Sequence, residues 1–242
     1  MSVSRREFLG VSGAAIAGLA LAPGLRLMDL ATARSPEEAV STLQRWGLLI
    51  DTTQCATGCN ACVTACNDEN GLTSHGRPET DAQWIRTLTL KDKHTGHAQT
   101  LPMMCQHCEE PPCVDVCPTG ASFKRDDGIV LVDKHICIGC RYCMLACPYK
   151  ARSFIHEDLT DQKPDVPRGK GTVESCTLCV HRVDKGQIPA CVEACTADGG
   201  KAMVFGDLKD PNSEIRQRLA SQPSQQVRAD LHLNTGVRYQ GL

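Results

Sequence analysis

The chain has 242 residues, with 26 Lys and Arg against 28 Asp and Glu, a formal net charge of −2 at pH 7. That near-neutral, slightly acidic balance argues against a basic nucleic-acid-binding surface. Aromatic residues make up only 4% while 16 residues are cysteine, so sulfur chemistry must organise much of the interior.

The first stretch reads as an address. Ser4-Arg5-Arg6-Glu7-Phe8-Leu9 is a twin-arginine pattern, a mild apolar run extends from Val11 to Ala22, and Ala31-Thr32-Ala33 fits an A-x-A cleavage site. Residues 1–33 are therefore expected to be a twin-arginine signal peptide and residues 34–242 the mature domain. The apolar run is too short to cross a bilayer unaided. Pro36 to Trp46 is expected to form a short amphipathic helix with Val40, Leu43 and Trp46 on one face. Trp46-Gly47-Leu48-Leu49-Ile50-Asp51 reads as a buried strand entering the first cysteine run.

That run is Cys55, Cys59, Cys62 and Cys66, spaced C-x3-C-x2-C-x3-C. Trp84 to Leu90 and Ala98 to Met104 then alternate like paired strands, with Asp92, Lys93 and the Thr95-Gly96 step supplying the turn. His94 and His97 lie in that turn and read as solvated loop residues. The second run, Cys105, Cys108, Cys113 and Cys117, is spaced C-x2-C-x4-C-x3-C and is followed by Pro118. His107 sits inside it; four thiolates would already satisfy a metal cube, so the imidazole is expected to hydrogen-bond from outside and tune potential. Gly128 to Asp133 is a strand leading into the third run.

The third run carries the most specific signal. Cys137, Cys140, Cys143 and Cys147 are spaced C-x2-C-x2-C-x3-C, and Pro148 follows at once. Three closely spaced thiolates can hold three corners of one [4Fe–4S] cube, and in two-cluster ferredoxins this pattern sends the fourth to the neighbouring cube. Pro148 fixes φ and donates no N–H, so the chain turns away after the ligand. Ala151 to Ile155 reads as a strand, and Asp161 to Thr172 as an exposed, solvated loop. The fourth run, Cys176, Cys179, Cys191 and Cys195, contains an insertion whose His181, Arg182, Lys185 and Gly186 suggest a short turn. Ala202 to Gly206 is a closing strand, and Asp210 to Ser213 caps a helix running to Leu219. Val227 to Leu242 is too polar for a core element and is expected to pack back across the cysteine loops or onto a partner.

Four runs of four use all 16 cysteines, which predicts four [4Fe–4S] clusters and a fold that depends on metal. Disulfides are the obvious alternative for an exported chain, but cysteines two residues apart in tight turns suit them poorly. Structural zinc favours two well-separated pairs. The Cys55-x3-Cys59-x2-Cys62 spacing also occurs in radical enzymes using S-adenosylmethionine, whose cluster keeps one iron open, whereas here Cys66 offers a fourth ligand. No Ser/His/Asp arrangement, phosphate loop or dinucleotide fingerprint is present, so the expectation is a non-enzymatic electron relay. An enzyme with one open cluster iron and a purely structural metalloprotein are the rivals from other classes.

Cys105-Gln106-His107-Cys108-Glu109-Glu110-Pro111-Pro112-Cys113, Cys117-Pro118-Thr119-Gly120-Ala121 and Cys147-Pro148-Tyr149-Lys150-Ala151-Arg152 resemble the four-cluster ferredoxin subunits of bacterial respiratory complexes. The resemblance spans roughly Trp46 to Tyr239. Within it, Asp51 to Cys62 with Glu69-Asn70 and the twin-arginine leader is most similar to the DsrO type, the periplasmic ferredoxin of the Dsr sulfur-metabolism membrane complex. The resemblance implies an α+β fold of two pseudo-symmetric bacterial-type ferredoxin modules, with small β-hairpin insertions and a C-terminal helix and tail. It implies crossed ligation: Cys55, Cys59, Cys62 and Cys195 on one cube; Cys66, Cys176, Cys179 and Cys191 on its neighbour; Cys105, Cys108, Cys113 and Cys147 on a third; Cys117, Cys137, Cys140 and Cys143 on the last. It further implies a periplasmic subunit held at the membrane by an NrfD/DsrP-like quinone-interacting protein, with a multihaem cytochrome c as a further partner. The alternative within the same class is the ferredoxin subunit of a molybdopterin oxidoreductase of the thiosulfate, polysulfide or nitrite type. Two departures stand out: an extra residue separates Cys55 from Cys59, and neither Cys66 nor Cys195 precedes a proline.

Overall fold

Strand β1 (Trp46–Asp51) forms on an apolar run of the sequence, and Leu48 and Ile50 are fully buried. The computed structural model describes residues 39–56, 58–197 and 201–242; the twin-arginine segment and the start of the expected first helix lie outside them. A strand apolar on both faces belongs at the centre of a sheet. β1 accordingly pairs antiparallel with β8 (Met203–Asp207), Trp46 opposite Asp207 and Ile50 opposite Met203. On its other edge it pairs parallel with β9 (Val237–Gln240), Leu48 opposite Val237 and Asp51 opposite Gln240. Trp46 stacks on Phe205 with ring centroids 5.1 Å apart. Gly47 has no room for a side chain, since a Cβ there would lie 2.6 Å from the Gly236 carbonyl oxygen.

Three two-stranded ribbons surround this sheet. β2 (Ile85–Lys91) and β3 (Ala98–Met104) pair from Ile85 opposite Met104 to Lys91 opposite Ala98. Their turn is held by the Asp92 carboxylate, which accepts the His94 and Thr95 backbone N–H groups at 2.8 and 2.7 Å. His94 and His97 are exposed there, as expected of a solvated loop. β4 (Ser122–Lys124) pairs with β5 (Val130–Val132), and β6 (Ser153–Phe154) with β7 (Val173–Glu174).

The α-helices are short, and four of the six among the described residues carry cysteines. α1 (Ala61–Asn70) holds Cys62 and Cys66 and ends at Gly71 in the left-handed region, φ 64°, where glycine carries no Cβ penalty. α2 (Pro112–Asp115) holds Cys113, and α3 (Tyr142–Ala146) holds Cys143. α4 (Val180–Val183) follows Cys179, and α5 (Ala190–Ala197) holds Cys191 and Cys195. α6 (Glu214–Ser221) starts at Ser213, whose side chain accepts the Arg216 N–H, and buries Ile215 against Leu49 and Val204. α1 packs on α5, and α2 on α3. The first cysteine run therefore meets the fourth, and the second meets the third. The result is an α+β fold whose main core mixes Leu48, Ile50, Trp84 and Tyr239 with Cys62, Cys66, Cys105, Cys108, Cys176 and Cys191.

Three expectations are corrected. Residues 39–45 form a turn rather than a helix, and Leu43 is 81% exposed; Trp46 is claimed by β1, which removes the helix's apolar anchor. The C-terminal tail is not excluded from the core: β9 buries Val237 and Tyr239. Its polar residues are absorbed by backbone pairing with β1, Gln240 buried and Arg238 half-buried. The loop from Asp161 to Thr172 is only partly solvated, because Val166, Arg168 and Thr172 are buried. The insertion of the fourth run makes the short turn expected of it, the single helical turn α4 followed by a turn at residues 184–186. None of the helices among the described residues is long and apolar enough to cross a membrane.

Candidate metal centres

The cysteine loops turn through left-handed residues, including His107, Gly139, Arg141, Leu178 and Cys179. Such turns draw sulfurs that are two residues apart toward one point. At Gly139 the demand is absolute: a Cβ would lie 2.2 Å from the Gly171 carbonyl oxygen. The third loop therefore presses directly on the chain entering β7.

All 16 cysteines are free of disulfide bonds. Two cavities are lined by quartets drawn from different runs. One has Cys55, Cys59, Cys62 and Cys195 in its wall, beside Ile50, Pro102 and Met203. The other has Cys117, Cys137, Cys140 and Cys143, beside Val132, Val173 and Gly139. A thiol-lined, otherwise apolar cavity fits an iron–sulfur cube: four thiolates for its corners and a dry wall around its sulfides.

Electrostatics group the remaining thiols. Burial, then the charges of Cys113 and, weakly, Cys147, push Cys105 up to about 12, against an opposing pull from Arg152. Burial and then Cys105, Cys113 and Cys147 raise Cys108 to about 12 as well. Cys176 is raised well above its ordinary value by burial and by Cys66, Cys191, Cys105 and Cys179. Cys191 is raised by burial and by Cys179, Cys66 and Cys62. In the first cavity burial lifts Cys62 to about 11, with Cys55 and Cys195 adding to it. Crowded buried thiols stay protonated unless a cation takes the proton's place, so metal binding here releases protons and tightens as pH rises. Cys117 differs: burial opposes its ionisation, but the Ser122 backbone N–H, 3.3 Å from its sulfur, and Thr119 outweigh that and lower it.

Thiols of different groups also feel one another's charge: Cys62 raises Cys191, Cys105 raises Cys176 and Cys143 raises Cys113. Cys59 and Cys140 are exposed, whereas Cys66, Cys176, Cys179 and Cys191 are all buried.

Several supporting residues have no signature in spacing. Arg152 is buried and donates to the Cys113 sulfur at 3.1 Å. The Asn70 amide donates to the Cys66 carbonyl at 2.8 Å and reaches its sulfur at 3.5 Å. Glu69 pairs with His181 at 2.7 Å and Arg182 at 3.0 Å, tying α1 to α4. Burial works against the Glu69 carboxylate, but hydrogen bonds from His181 and Arg182 hold its pKa below the usual value. His107 is buried, and its Nδ1 accepts the Val130 N–H at 3.1 Å. Burial and then Arg152 push its pKa down to about 3. It is thus a neutral brace between the second loop and β5, with Nε2 unpartnered among the described protein groups. The tail reaches the same loop, where the Gly236 N–H donates to the Gln106 carbonyl at 2.8 Å and Glu109 N–H to Leu233 O at 3.0 Å.

Two family profiles, each described as a 4Fe-4S dicluster domain, match residues 51–121 and 96–208. The chain is 45% identical to the Hdr-like menaquinol oxidoreductase iron-sulfur subunit 1 of Archaeoglobus fulgidus, over 98% of this chain and 97% of that protein. It is 40% identical to a tetrathionate reductase subunit of Salmonella typhimurium, over 90% of this chain and 80% of the relative. Protein NrfC of Escherichia coli is 37% identical over 93% and 89%. The chain belongs to the 4Fe-4S dicluster iron–sulfur subunits. As a dicluster subunit it is an electron-transfer component of an oxidoreductase complex and not the catalytic chain. Two dicluster domains account for four [4Fe–4S] clusters, and 16 cysteines are enough for four thiolates on each.

Proposed function

We propose that this dicluster subunit relays single electrons between a membrane quinone-reactive subunit and other redox subunits of a periplasm-facing sulfur-metabolism complex. The observation that carries the reading is the 45% identity, over nearly the full length of both chains, to a subunit named for menaquinol oxidation. The membrane partner is proposed to be NrfD/DsrP-like, with a multihaem cytochrome c as a further redox partner and the DsrO type as the subfamily. Residues 1–33 are proposed as the twin-arginine signal that exports the folded domain 34–242.

The proposed ligand sets are Cys55, Cys59, Cys62 and Cys195; Cys66, Cys176, Cys179 and Cys191; Cys105, Cys108, Cys113 and Cys147; and Cys117, Cys137, Cys140 and Cys143. Helix packing of the first run on the fourth and the second on the third supports them, as do the two quartet-lined cavities. When bound, each cube supplies reversible one-electron exchange at a potential set by charge, burial and hydrogen bonds to sulfur. The chain's own residues supply order. The charge couplings between thiols support an order from the first set through the second and third to the fourth, with exposed Cys59 in the first set and exposed Cys140 in the last.

The Cys140 end is rimmed by Ile138 (66% exposed), Tyr142 (60%) and Leu145 (83%). Adjoining large apolar side chains on a surface suit a lasting subunit interface, and this end is assigned to the membrane partner. A second reading, the ferredoxin subunit of a molybdopterin reductase, is favoured by the 40% identity to the tetrathionate reductase subunit.

Purification of the native assembly tests both. Co-purification of a membrane quinone-reactive protein with haem, without a large pterin-binding chain, is the expected result. A stoichiometric pterin-binding chain would replace the first reading by the second. Iron far below about sixteen atoms per anaerobically prepared molecule, four per cube, would overturn the relay itself.

A further inference from the structure

Arg152 is a cation with no carboxylate to answer it among the described residues. It lies just beyond Cys147, and its side chain is 6% exposed. Its Nη2 donates to the Cys113 sulfur at 3.1 Å and to the Ser122 hydroxyl oxygen at 2.8 Å. Its Nη1 is buried with no hydrogen-bond partner among the described residues. Burial works against its charge, and the groups that sustain the charge are Cys113, Cys105 and Cys143.

An uncompensated buried guanidinium is strongly unfavourable. Neutral thiols would leave this one uncompensated, so its position makes sense only if the sulfurs around it are anionic, as iron ligands are. The other donors to cysteine sulfur among the described residues are uncharged. They are the backbone N–H groups of Ser122, Val173 and Leu178, at 3.3, 3.5 and 3.4 Å, the Thr119 hydroxyl and the Asn70 amide. A charge-assisted bond is roughly twice as strong as a neutral one. Reduction adds a negative charge to a cube, so a fixed cation on one of its sulfurs stabilises the reduced form more than the oxidised form. That raises the reduction potential.

We infer that Arg152 is a positioning residue that sets the potential of the cluster holding Cys113 and makes it easier to reduce than it would be without the guanidinium. The inference rests on the ligand sets proposed above, in which Cys105, Cys108, Cys113 and Cys147 belong to one cube. Ser122 anchors the guanidinium: its hydroxyl accepts from the same nitrogen that donates to Cys113. The residue is therefore clamped at β4 against the second run.

The test is a paramagnetic-resonance redox titration of the anaerobically prepared full chain carrying Arg152→Gln, Arg152→Lys or Ser122→Ala, beside the unaltered protein. In Arg152→Gln the midpoint potential of the cube of Cys113 should move down the most, while those of the pair on the first and fourth runs stay in place. Arg152→Lys keeps the charge and should restore most of the shift. Ser122→Ala loosens the clamp and should produce a smaller downward shift of the same cluster. Four unmoved potentials in Arg152→Gln overturn the inference, as does an equal shift of all four. A lysine variant as low as the glutamine variant also overturns it. Should Arg152→Gln fail to retain iron, unmoved potentials in Ser122→Ala overturn it instead. Fewer than four clusters in the unaltered protein would defeat the cluster reading itself, which is distinguishable from four clusters whose potentials ignore Arg152.

Discussion

Replacing Tyr239 should detach the C-terminal strand and loosen the second cysteine loop with it. The ring is fully buried, its hydroxyl donates to the Pro102 carbonyl at 3.1 Å, and it accepts from the Gln106 amide at 3.2 Å. Truncating a buried aromatic to alanine costs about 3–5 kcal/mol. Removing only the hydroxyl strands a buried carbonyl and costs about 1–3 kcal/mol. At about 1.4 kcal/mol per tenfold, Tyr239→Ala should raise the open population of β9 by roughly two to three and a half orders of magnitude. Tyr239→Phe should raise it by roughly one to two. A cluster protein does not unfold as a clean two-state system, so the proper assay is native-state amide exchange. The Leu48 N–H bonds Gly236 O at 3.0 Å and the Thr52 N–H bonds Gln240 O at 3.0 Å, whereas Asp51 N–H bonds Ala202 O on the β8 side at 2.7 Å. Leu48 and Thr52 should lose protection in that order of variants, with Asp51 affected less. Exchange at Leu48 and Thr52 within a few-fold of the unaltered protein in Tyr239→Ala would refute the reasoning.

Three further outcomes are expected. Cys147→Ala should disturb the cluster of Cys105, Cys108 and Cys113; spectra showing loss only of the cluster of Cys137, Cys140 and Cys143 would rule out crossed ligation. Replacing Arg5 and Arg6 with lysine should retain the protein in the cytoplasm, and unchanged export on cell fractionation would remove the twin-arginine assignment. Glu174→Gln breaks a buried two-bond pair with Arg168, at 2.8 and 2.9 Å, and leaves a buried cation unanswered. The cost is about 3–5 kcal/mol, read as a lower temperature for bleaching of the cluster absorbance; an unshifted bleaching temperature would show the pair contributes nothing.

The cysteine runs, the strand at Trp46–Asp51, the hairpin at Ile85–Met104 and the cap at Ser213 are all legible in the sequence. Each is written in neighbours: ligand spacing, two-residue alternation, a turn of Asp, Thr and Gly, and a serine before a helix. The helix expected around Leu43 failed because its apolar periodicity rested on Trp46, whose better partner is Phe205. The tail failed in the opposite direction, since polar residues such as Gln240 can occupy a core strand when a distant edge offers backbone partners.

Spacing thus established the chemistry, because three thiolates within a short segment already offer most of the corners of a cube. It also established the local elements, because their signals lie within a few residues of one another. What required the folded chain was everything set by meetings across long separations: α1 against α5, β9 against β1, which cysteines stand at the surface, and a lone guanidinium lodged beside Cys113. Those depend on which apolar surfaces and unpaired backbone edges find each other, and that is decided by the packing of the whole chain.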